Sequence, residues 1–192
     1  MAETPFNELL LRVRRGDEQA ATELVDRYQP HIQRLIRVRL ANPTLRRQVD
    51  STDICQSVMA DFFVRAAVGQ FELESPQQLV GLLSTMAKNK IAKTAAKNYA
   101  ARRDIRRVLD VDGDTDPNLF PSTESTPSAR CSRKDLVAAV RSRLSERDRQ
   151  IAELRALGKS WMEIGIELGV SADALRIRFT RVANRIATEL GV

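Results

Sequence analysis

The amino-acid sequence predicts an all-helical fold of two small domains, and three observations support this prediction. Apolar residues recur at the spacing of one helical face along most of the chain, as at Leu9 and Val13. Strand-like alternation is nearly absent, and the aromatic residues that strands favour make up only 5% of the sequence. One acidic, proline-containing stretch interrupts the helical pattern. We therefore expect helical domains at residues 1–109 and 131–192, joined by a flexible linker at residues 110–130.

Composition restricts the kinds of function that the chain can carry. The formal net charge of +6 is moderate, but the basic residues are unevenly placed along the chain, and this placement is informative. Cys55 and Cys131 lie far apart and His31 is the single histidine, which excludes a Cys/His zinc site and a triad that needs a second histidine. No apolar stretch is long enough to span a membrane, and residues 1–16 lack a signal-peptide pattern. We expect a soluble cytoplasmic protein without a cofactor.

The first two predicted helices open the N-terminal domain. Thr4 is expected to cap the first helix, with Pro5 at its first position, and Asp17 to cap the second. Pro30 is expected to kink the second helix, although the apolar pattern continues beyond it. Asn42-Pro43 then stops the pattern.

A third helix is predicted from residues 50–53 to about Val68. Two hydroxyl residues and two acids mark its start, because caps and negative charge stabilise a helix N-terminus. A wide apolar band occupies one side. The other side is polar and carries Asp53, Gln56, Ser57, Asp61 and Arg65. The residues alone leave open whether this polar face is a solvated surface or a binding surface.

The fourth predicted helix begins at Ser75-Pro76 and becomes strongly basic in its second half. Between residues 88 and 107 a single acid, Asp104, accompanies eight basic residues: Lys88, Lys90, Lys93, Lys97, Arg102, Arg103, Arg106 and Arg107. Such density is typical of polyanion binding. A membrane-surface helix or a favourable helix dipole are alternatives, but the basic half lacks an apolar face, so nucleic acid is the favoured partner.

The predicted linker is acidic and has no basic residue between positions 110 and 129. Three prolines and several serines and threonines make it an extended spacer that cannot form a core. The alternating acids Asp110, Asp112, Asp114 and Asp116 resemble a calcium loop weakly. Because the glycine spacing and terminal glutamate of an EF-hand are missing, we expect no metal there.

The last domain is predicted to end in a helix-turn-helix. Ser145 caps a helix that carries Ile151, Leu154 and Leu157 on its apolar face. A short helix then begins at Trp161, and the turn at residues 169–171 leads into a final helix over residues 172–185. This last helix presents small, polar and basic residues that suit a DNA groove: Ser171, Ala172, Asp173, Arg176, Arg178, Arg181 and Arg185. A helical hairpin with a solvated basic face is the alternative.

Several motifs resemble those of sigma-70-type factors. Residues 144–149, 158–165, 168–171 and 176–185 resemble region 4 of that family, whose final helix reads the minus-thirty-five promoter element. The N-terminal domain resembles region 2 of the extracytoplasmic-function (ECF) group. The resemblance implies that the polymerase clamp binds Asp53, Ile54, Gln56, Ser57 and Asp61. It implies that the minus-ten element binds Lys88, Asn89, Lys90, Lys93 and Lys97.

The sequence departs from the family pattern in three places. Leu82 stands where a tryptophan is common, and Ser57 stands where the clamp-binding motif usually has an acid. The segment from Phe71 to Gln77 is not the usual Arg/Gly-rich approach. The resemblance nevertheless covers nearly the whole chain in the family's order. The linker would then occupy the polymerase channel that receives template and nascent RNA.

The resemblance implies a sigma factor that is not an enzyme. Its partners would be RNA polymerase core, through the largest-subunit clamp and the flap, promoter DNA and a possible anti-sigma factor. A stand-alone helix-turn-helix regulator is the alternative, and it predicts a dimer on a two-fold symmetric operator. A nucleic-acid-processing enzyme would need a carboxylate cluster or an activated nucleophile, and the sequence shows neither.

Overall fold

The computed structural model describes residues 4–40, 50–109 and 133–192, without the side chains of residues 98–109 and 133–134. These residues form eight α-helices and no strand, which confirms the all-helical prediction. The helices are α1 Phe6–Arg15, α2 Glu18–Arg39, α3 Ser51–Ala67, α4 Pro76–Leu109, α5 Arg133–Ser142, α6 Glu146–Ala156, α7 Trp161–Leu168 and α8 Ala172–Glu189. The predicted stop at Asn42-Pro43 and the predicted linker with its alternating acids lie outside the described residues.

Most helices begin where capping residues predict. The side chains of Asp17, Ser145 and Ser171 each accept a hydrogen bond from a backbone N–H in the first turn that follows. Ser75 does the same for α4, with its Oγ 3.3 Å from the backbone N of Gln78. These caps satisfy N–H groups that have no partner inside the helix.

Two helix starts differ from the prediction. Pro5 occupies the N-cap position of α1, and no side chain caps that helix. The Thr4 hydroxyl is engaged elsewhere, because it donates to Glu23 of α2 at 3.0 Å. In α3, the cap is the carboxylate of Asp50, which accepts from the backbone N of Thr52 at 2.7 Å. The predicted hydroxyl caps of α3 are therefore wrong.

Tertiary packing decides two other details. Helix α8 continues past Arg185 to Glu189, because Ile186 and Ala187 are buried on its inner face. Leu157 is 66% exposed, although it was expected on the apolar face of α6. It is the C-cap residue of α6, beyond the last turn that contacts the core.

Helix α3 lies at the centre of the molecule. It packs against α1, α2 and α4 of the N-terminal unit, which we define as α1–α4. It also packs against α5 and α8 of the C-terminal unit, defined as α5–α8. Buried residues of both units, among them Phe62 and Phe179, belong to a single apolar cluster. The two units therefore contact each other in the chain without a partner.

The turn between α7 and α8 leaves no room for a side chain at Gly165. A Cβ there would lie 2.5 Å from the carbonyl oxygen of Val170, a backbone atom that cannot rotate away. We expect Gly165→Ala to lower the free energy of unfolding by about 1–3 kcal/mol in urea denaturation. Gly81→Ala in α4 is the control, since its Cβ would meet nothing within 4 Å and alanine favours a helix by roughly 0.5–1 kcal/mol. Equal effects of the two variants would contradict this account.

Candidate nucleic-acid interface

The helix-turn-helix forms from local signals at both ends of α7. Ser160 and Glu163 form a reciprocal capping box: Ser160 N lies 2.7 Å from Glu163 Oε2, and Glu163 N lies 3.2 Å from Ser160 Oγ. Gly169 ends α7 in the left-handed conformation with φ of 65°, which favours glycine. Ser171 then caps α8 by accepting from Ala174 N at 3.2 Å.

A small aromatic core fixes α8 against α7. Trp161 and Phe179 are fully buried, and their ring centroids lie 4.9 Å apart. Ile164 and Leu175 are buried beside them. This packing sets the orientation of α8 and of the residues on its outer face.

The first turns of α8 are accessible. Ser171, Asp173 and Arg176 are exposed, and Ala172 is half-buried. Arg181, farther along the helix, is exposed and has no ion-pair partner among the described residues. The N-terminal part of α8 thus has the shape and polarity of a DNA-reading helix.

Two of the predicted DNA-binding arginines, Arg178 and Arg185, have partners within the C-terminal unit. Arg178 Nε lies 2.7 Å from a carboxylate oxygen of Asp148, which is buried in α6. Burial raises the pKa of Asp148, but the hydrogen bonds from Arg178 and from Ser145 outweigh it, so its pKa is lowered overall. Arg185 pairs with Glu189 at 3.2 Å and donates to the backbone oxygen of Arg143. Arg178 and Arg185 therefore tether α8 to the rest of its unit.

The basic half of α4 is an exposed surface as far as its side chains are described. Lys88, Asn89, Lys93 and Lys97 are exposed and Lys90 is half-buried. Burial, with repulsion from the two lysines that follow it, lowers the pKa of Lys90. This surface concentrates positive charge as the sequence predicts.

The polar face of α3 is smaller than predicted. Asp53 and Gln56 are exposed, and Asp61 is half-buried in an ion pair with Arg65. Ile54 and Ser57, which were also expected to contact polymerase, are buried, with 3% and 6% exposure. The Ser57 hydroxyl faces the protein interior and has no hydrogen-bond partner among the described residues. The prediction of Ser57 on the polar face is therefore wrong.

A groove of about 610 Å³ brings three helices together. Asp61 of α3 and Lys90 and Lys93 of α4 line one side of it. Asn184 and Thr188 near the end of α8 line the other. The structure therefore places residues predicted for polymerase and for the minus-ten element beside the helix predicted to read the minus-thirty-five element.

A polar cluster that the sequence did not predict joins the two units. We call it the Arg155 cluster, and it comprises Arg14, Glu72, Arg155, Trp161 and Arg176. The Arg155 side chain is 2% exposed, and its guanidinium lies 4.5 Å from the Trp161 ring centroid. Glu72 accepts from the backbone N–H of Trp161 at 3.1 Å and pairs with Arg155 at 3.6 Å and with Arg176 at 2.9 Å.

Backbone carbonyls of the loop between α3 and α4 complete this cluster. Arg155 donates to the oxygen atoms of Gly69 at 3.0 Å and Phe71 at 2.9 Å. Arg14 donates to the same Phe71 oxygen at 2.7 Å. One sequence signal could have indicated the buried position of Arg155. Arg155 stands four positions after the apolar Ile151, so both residues lie on the same inner face of α6.

The charges in the cluster change each other's ionisation. Burial, together with repulsion from Arg14, lowers the pKa of Arg155 to about 10. Partial burial raises the pKa of Glu72, but the Trp161 N–H and the ion pairs with Arg176 and Arg155 outweigh it, so the pKa is lowered overall. Glu72 is therefore ionised at neutral pH and attracts both arginines.

The described ranges show no group of three His, Cys, Asp or Glu side chains that could hold a metal ion. Within them, no helix is both long and apolar enough to cross a membrane. Cys55 is a free, buried cysteine, and burial raises the pKa of its thiol.

The fold and these surfaces define an all-helical DNA-binding protein of the helix-turn-helix class. The sequence model described as ECF sigma factor matches residues 3–191, so the chain belongs to the ECF sigma factor family. Members of this family are transcription factors that act with RNA polymerase in transcription initiation at promoter DNA. Comparisons with the curated proteins and with the solved structures gave no match.

Proposed function

We propose that this chain recruits RNA polymerase core to promoters through two separate DNA contacts, made by its two units. The observation that carries the proposal is the pair of exposed basic helices, α4 and α8, on one chain of the ECF family. In the proposal, residues 1–109 and 131–192 act as the two domains, and residues 110–130 connect them on the polymerase.

The upstream contact is assigned to α8 at the minus-thirty-five element. Ser171, Ala172 and Asp173 lie at the exposed helix start, where a major groove accepts a helix N-terminus. Arg176 and Arg181 supply charge for base and phosphate contacts. Arg178 and Arg185 support the helix through their partners in the C-terminal unit.

The downstream contact is assigned to α4 at the minus-ten element. Lys88, Asn89, Lys93 and Lys97 are exposed on one basic helix half, and Lys90 lines the adjoining groove. A basic groove of this kind follows the backbone of a separated strand.

The contact with polymerase is assigned to the polar face of α3, which would bind the clamp of the largest subunit. Asp53 and Gln56 are its exposed members, and Asp61 lies at its edge. Ile54 and Ser57 would shape this face from beneath, since both are buried.

The two DNA contacts are expected to differ in kind. Lys93→Ala should weaken holoenzyme binding to matched and scrambled promoters alike and reduce the salt slope by about one unit. Arg176→Ala should cost roughly 1–3 kcal/mol on the matched promoter and relax specificity at one position. Filter binding across a salt series measures both. Arg37→Ala, an exposed α2 residue outside both surfaces, is the control. Identical behaviour of Lys93→Ala and Arg176→Ala would refute the division.

Co-purification with RNA polymerase core, followed by run-off transcription from a genomic promoter library, tests the whole proposal. We expect core binding and new promoter-specific transcripts. DNA binding by the chain without core association would instead support the stand-alone regulator.

A further inference from the structure

A second cavity lies between the two units, apart from the groove described above. Its volume is about 250 Å³, and it shares no lining residue with that groove. Arg14 of α1 and Ala67 of α3 line it from the N-terminal unit. Arg141 at the end of α5, with Arg149 and Glu153 of α6, line it from the C-terminal unit. None of its lining residues belongs to the surfaces assigned above to DNA or to polymerase.

The cavity has a buried floor and an open rim. Ala67, Leu144 and Ala152 are buried, whereas Arg141 and Glu153 are exposed. A solute can therefore reach the cavity from the surrounding water. Its volume lies just below the roughly 300–1,000 Å³ of pockets that hold drug-sized molecules, so a smaller ligand fits.

Positive charge dominates the lining of this cavity. Three arginines, Arg14, Arg141 and Arg149, accompany one carboxylate, that of Glu153. In the part of the chain that the structure describes, Arg14 and Arg141 donate to backbone oxygens and form no ion pair. Arg149 pairs with Glu146 at 3.7 Å, and such an exposed pair is weak in water. The protein itself therefore leaves an excess of positive charge at the cavity.

Arg14 is the buried member of the three arginines. Its side chain is almost enclosed, with 7% exposure, and its Nη2 donates to the Phe71 oxygen at 2.7 Å. Burial lowers the pKa of Arg14, and the attraction of Glu72 offsets this only in part. A buried charge without a counter-ion is costly, so an anion in the cavity would stabilise Arg14.

The other two arginines have unused N–H donors. Arg141 donates from Nη2 to the backbone oxygen of Arg15 at 3.1 Å. Arg149 forms no hydrogen bond within the described ranges beyond its ion pair. A guanidinium carries five N–H donors in a planar fork that matches the oxygens of a phosphate. Arg141 and Arg149 can therefore bind a phosphate while the contact with Arg15 is kept.

We propose that this cavity binds a small anion that carries a diphosphate group, with Arg14 at its base and Arg141 and Arg149 at its rim. A diphosphate suits the site better than a single phosphate, because three arginines share its larger charge. The Glu153 carboxylate repels the anion and weakens its binding. Free diphosphate and a nucleotide have this chemistry in common. The site is separate from both proposed DNA contacts.

Isothermal titration calorimetry of the full chain with sodium diphosphate, at constant ionic strength, tests the site. We expect one saturable site in the wild type. Arg149→Gln is expected to bind about tenfold more weakly, because it loses charge-assisted hydrogen bonds. Arg37→Gln is the matched control, since it removes the same charge from an exposed position of α2 outside the cavity. Equal losses in both variants would show diffuse charge attraction and overturn the proposal, as would the lack of saturable binding by the wild type.

A second variant changes the affinity in the opposite direction. Glu153→Gln removes the repelling carboxylate and is expected to bind diphosphate about threefold more tightly. A folding defect cannot produce such a gain. An unchanged or weaker affinity would show that the anion does not lie beside Glu153, and the proposed location would be wrong.

Adenosine diphosphate distinguishes the two sources of the anion. In the same calorimetry, tighter binding of adenosine diphosphate than of free diphosphate would identify a nucleotide ligand, and weaker binding would identify the free anion. Either result supports the site if Arg149→Gln weakens the binding about tenfold. If neither compound binds the wild type, the proposal is wrong.

Chemical protection locates the anion in the unaltered chain. Phenylglyoxal modifies accessible arginines, and peptide mass spectrometry reports the modification of each one. We expect sodium diphosphate to slow the modification of Arg141 and Arg149 about threefold without slowing that of Arg37. Protection of Arg176 and Arg181 instead would place the anion on α8 and overturn the proposal.

Discussion

Replacing Arg155 with methionine is expected to lower the free energy of unfolding by about 3 kcal/mol. Arg155 is a long, almost fully buried side chain that donates to the carbonyl oxygens of Gly69 and Phe71. Methionine fills similar space but donates nothing, so the carbonyl oxygens of Gly69 and Lys159 lose this donor inside the interface. The Phe71 oxygen keeps its bond from Arg14, and Glu72 keeps the Trp161 N–H. The cost therefore comes from groups left unpaired and not from lost apolar contact.

Urea denaturation measures this effect with two signals. Circular dichroism follows all helices, and fluorescence follows Trp161, the single tryptophan of the chain, which is buried beneath Arg155. Arg149→Met in the same helix is the control, because the one ion pair of Arg149 among the described residues is with the exposed Glu146 at 3.7 Å. We expect a change within about 0.5 kcal/mol for the control. A similar small change for Arg155→Met would show that the cluster contributes little to stability.

Local signals explain why much of the fold was predictable. Helix α7, its glycine turn and the Ser171 cap follow from residues that interact within a few positions of one another. Most of the core of each helix likewise follows from apolar spacing. Such signals need no knowledge of which helices meet.

The contacts between the units were not predictable for the opposite reason. Arg155 and Phe71 are 84 residues apart, and no pattern near either one indicates the other. The partner of Arg178 in the helix-turn-helix was likewise not predictable from nearby residues. The position of Arg178 on a basic helix indicates its charge, but gives no sign of its ion pair with the buried Asp148, which lies 30 residues away. The sequence predicts which residues are charged, but only the packing decides which charges remain available for a ligand.

Replacing Trp161 with alanine is expected to have the largest effect on stability, a loss of about 3–5 kcal/mol. Trp161 is fully buried, packs against Phe179 and supports the guanidinium of Arg155. Alanine would leave a cavity at the junction of α7, α8 and the Arg155 cluster. The backbone N–H that donates to Glu72 would remain. The loss should therefore reflect packing.

Trp161→Phe separates packing from hydrogen bonding. The indole Nε1 is buried and has no hydrogen-bond partner among the described residues, so phenylalanine removes an unsatisfied donor while it keeps an aromatic ring beside Phe179. We expect it to lose less than half as much stability as alanine in urea denaturation followed by circular dichroism. Equal losses for the two variants would mean that the full indole volume is required. Because the same core orients α8, Trp161→Ala should also lose duplex binding, and Trp161→Phe should retain most of it.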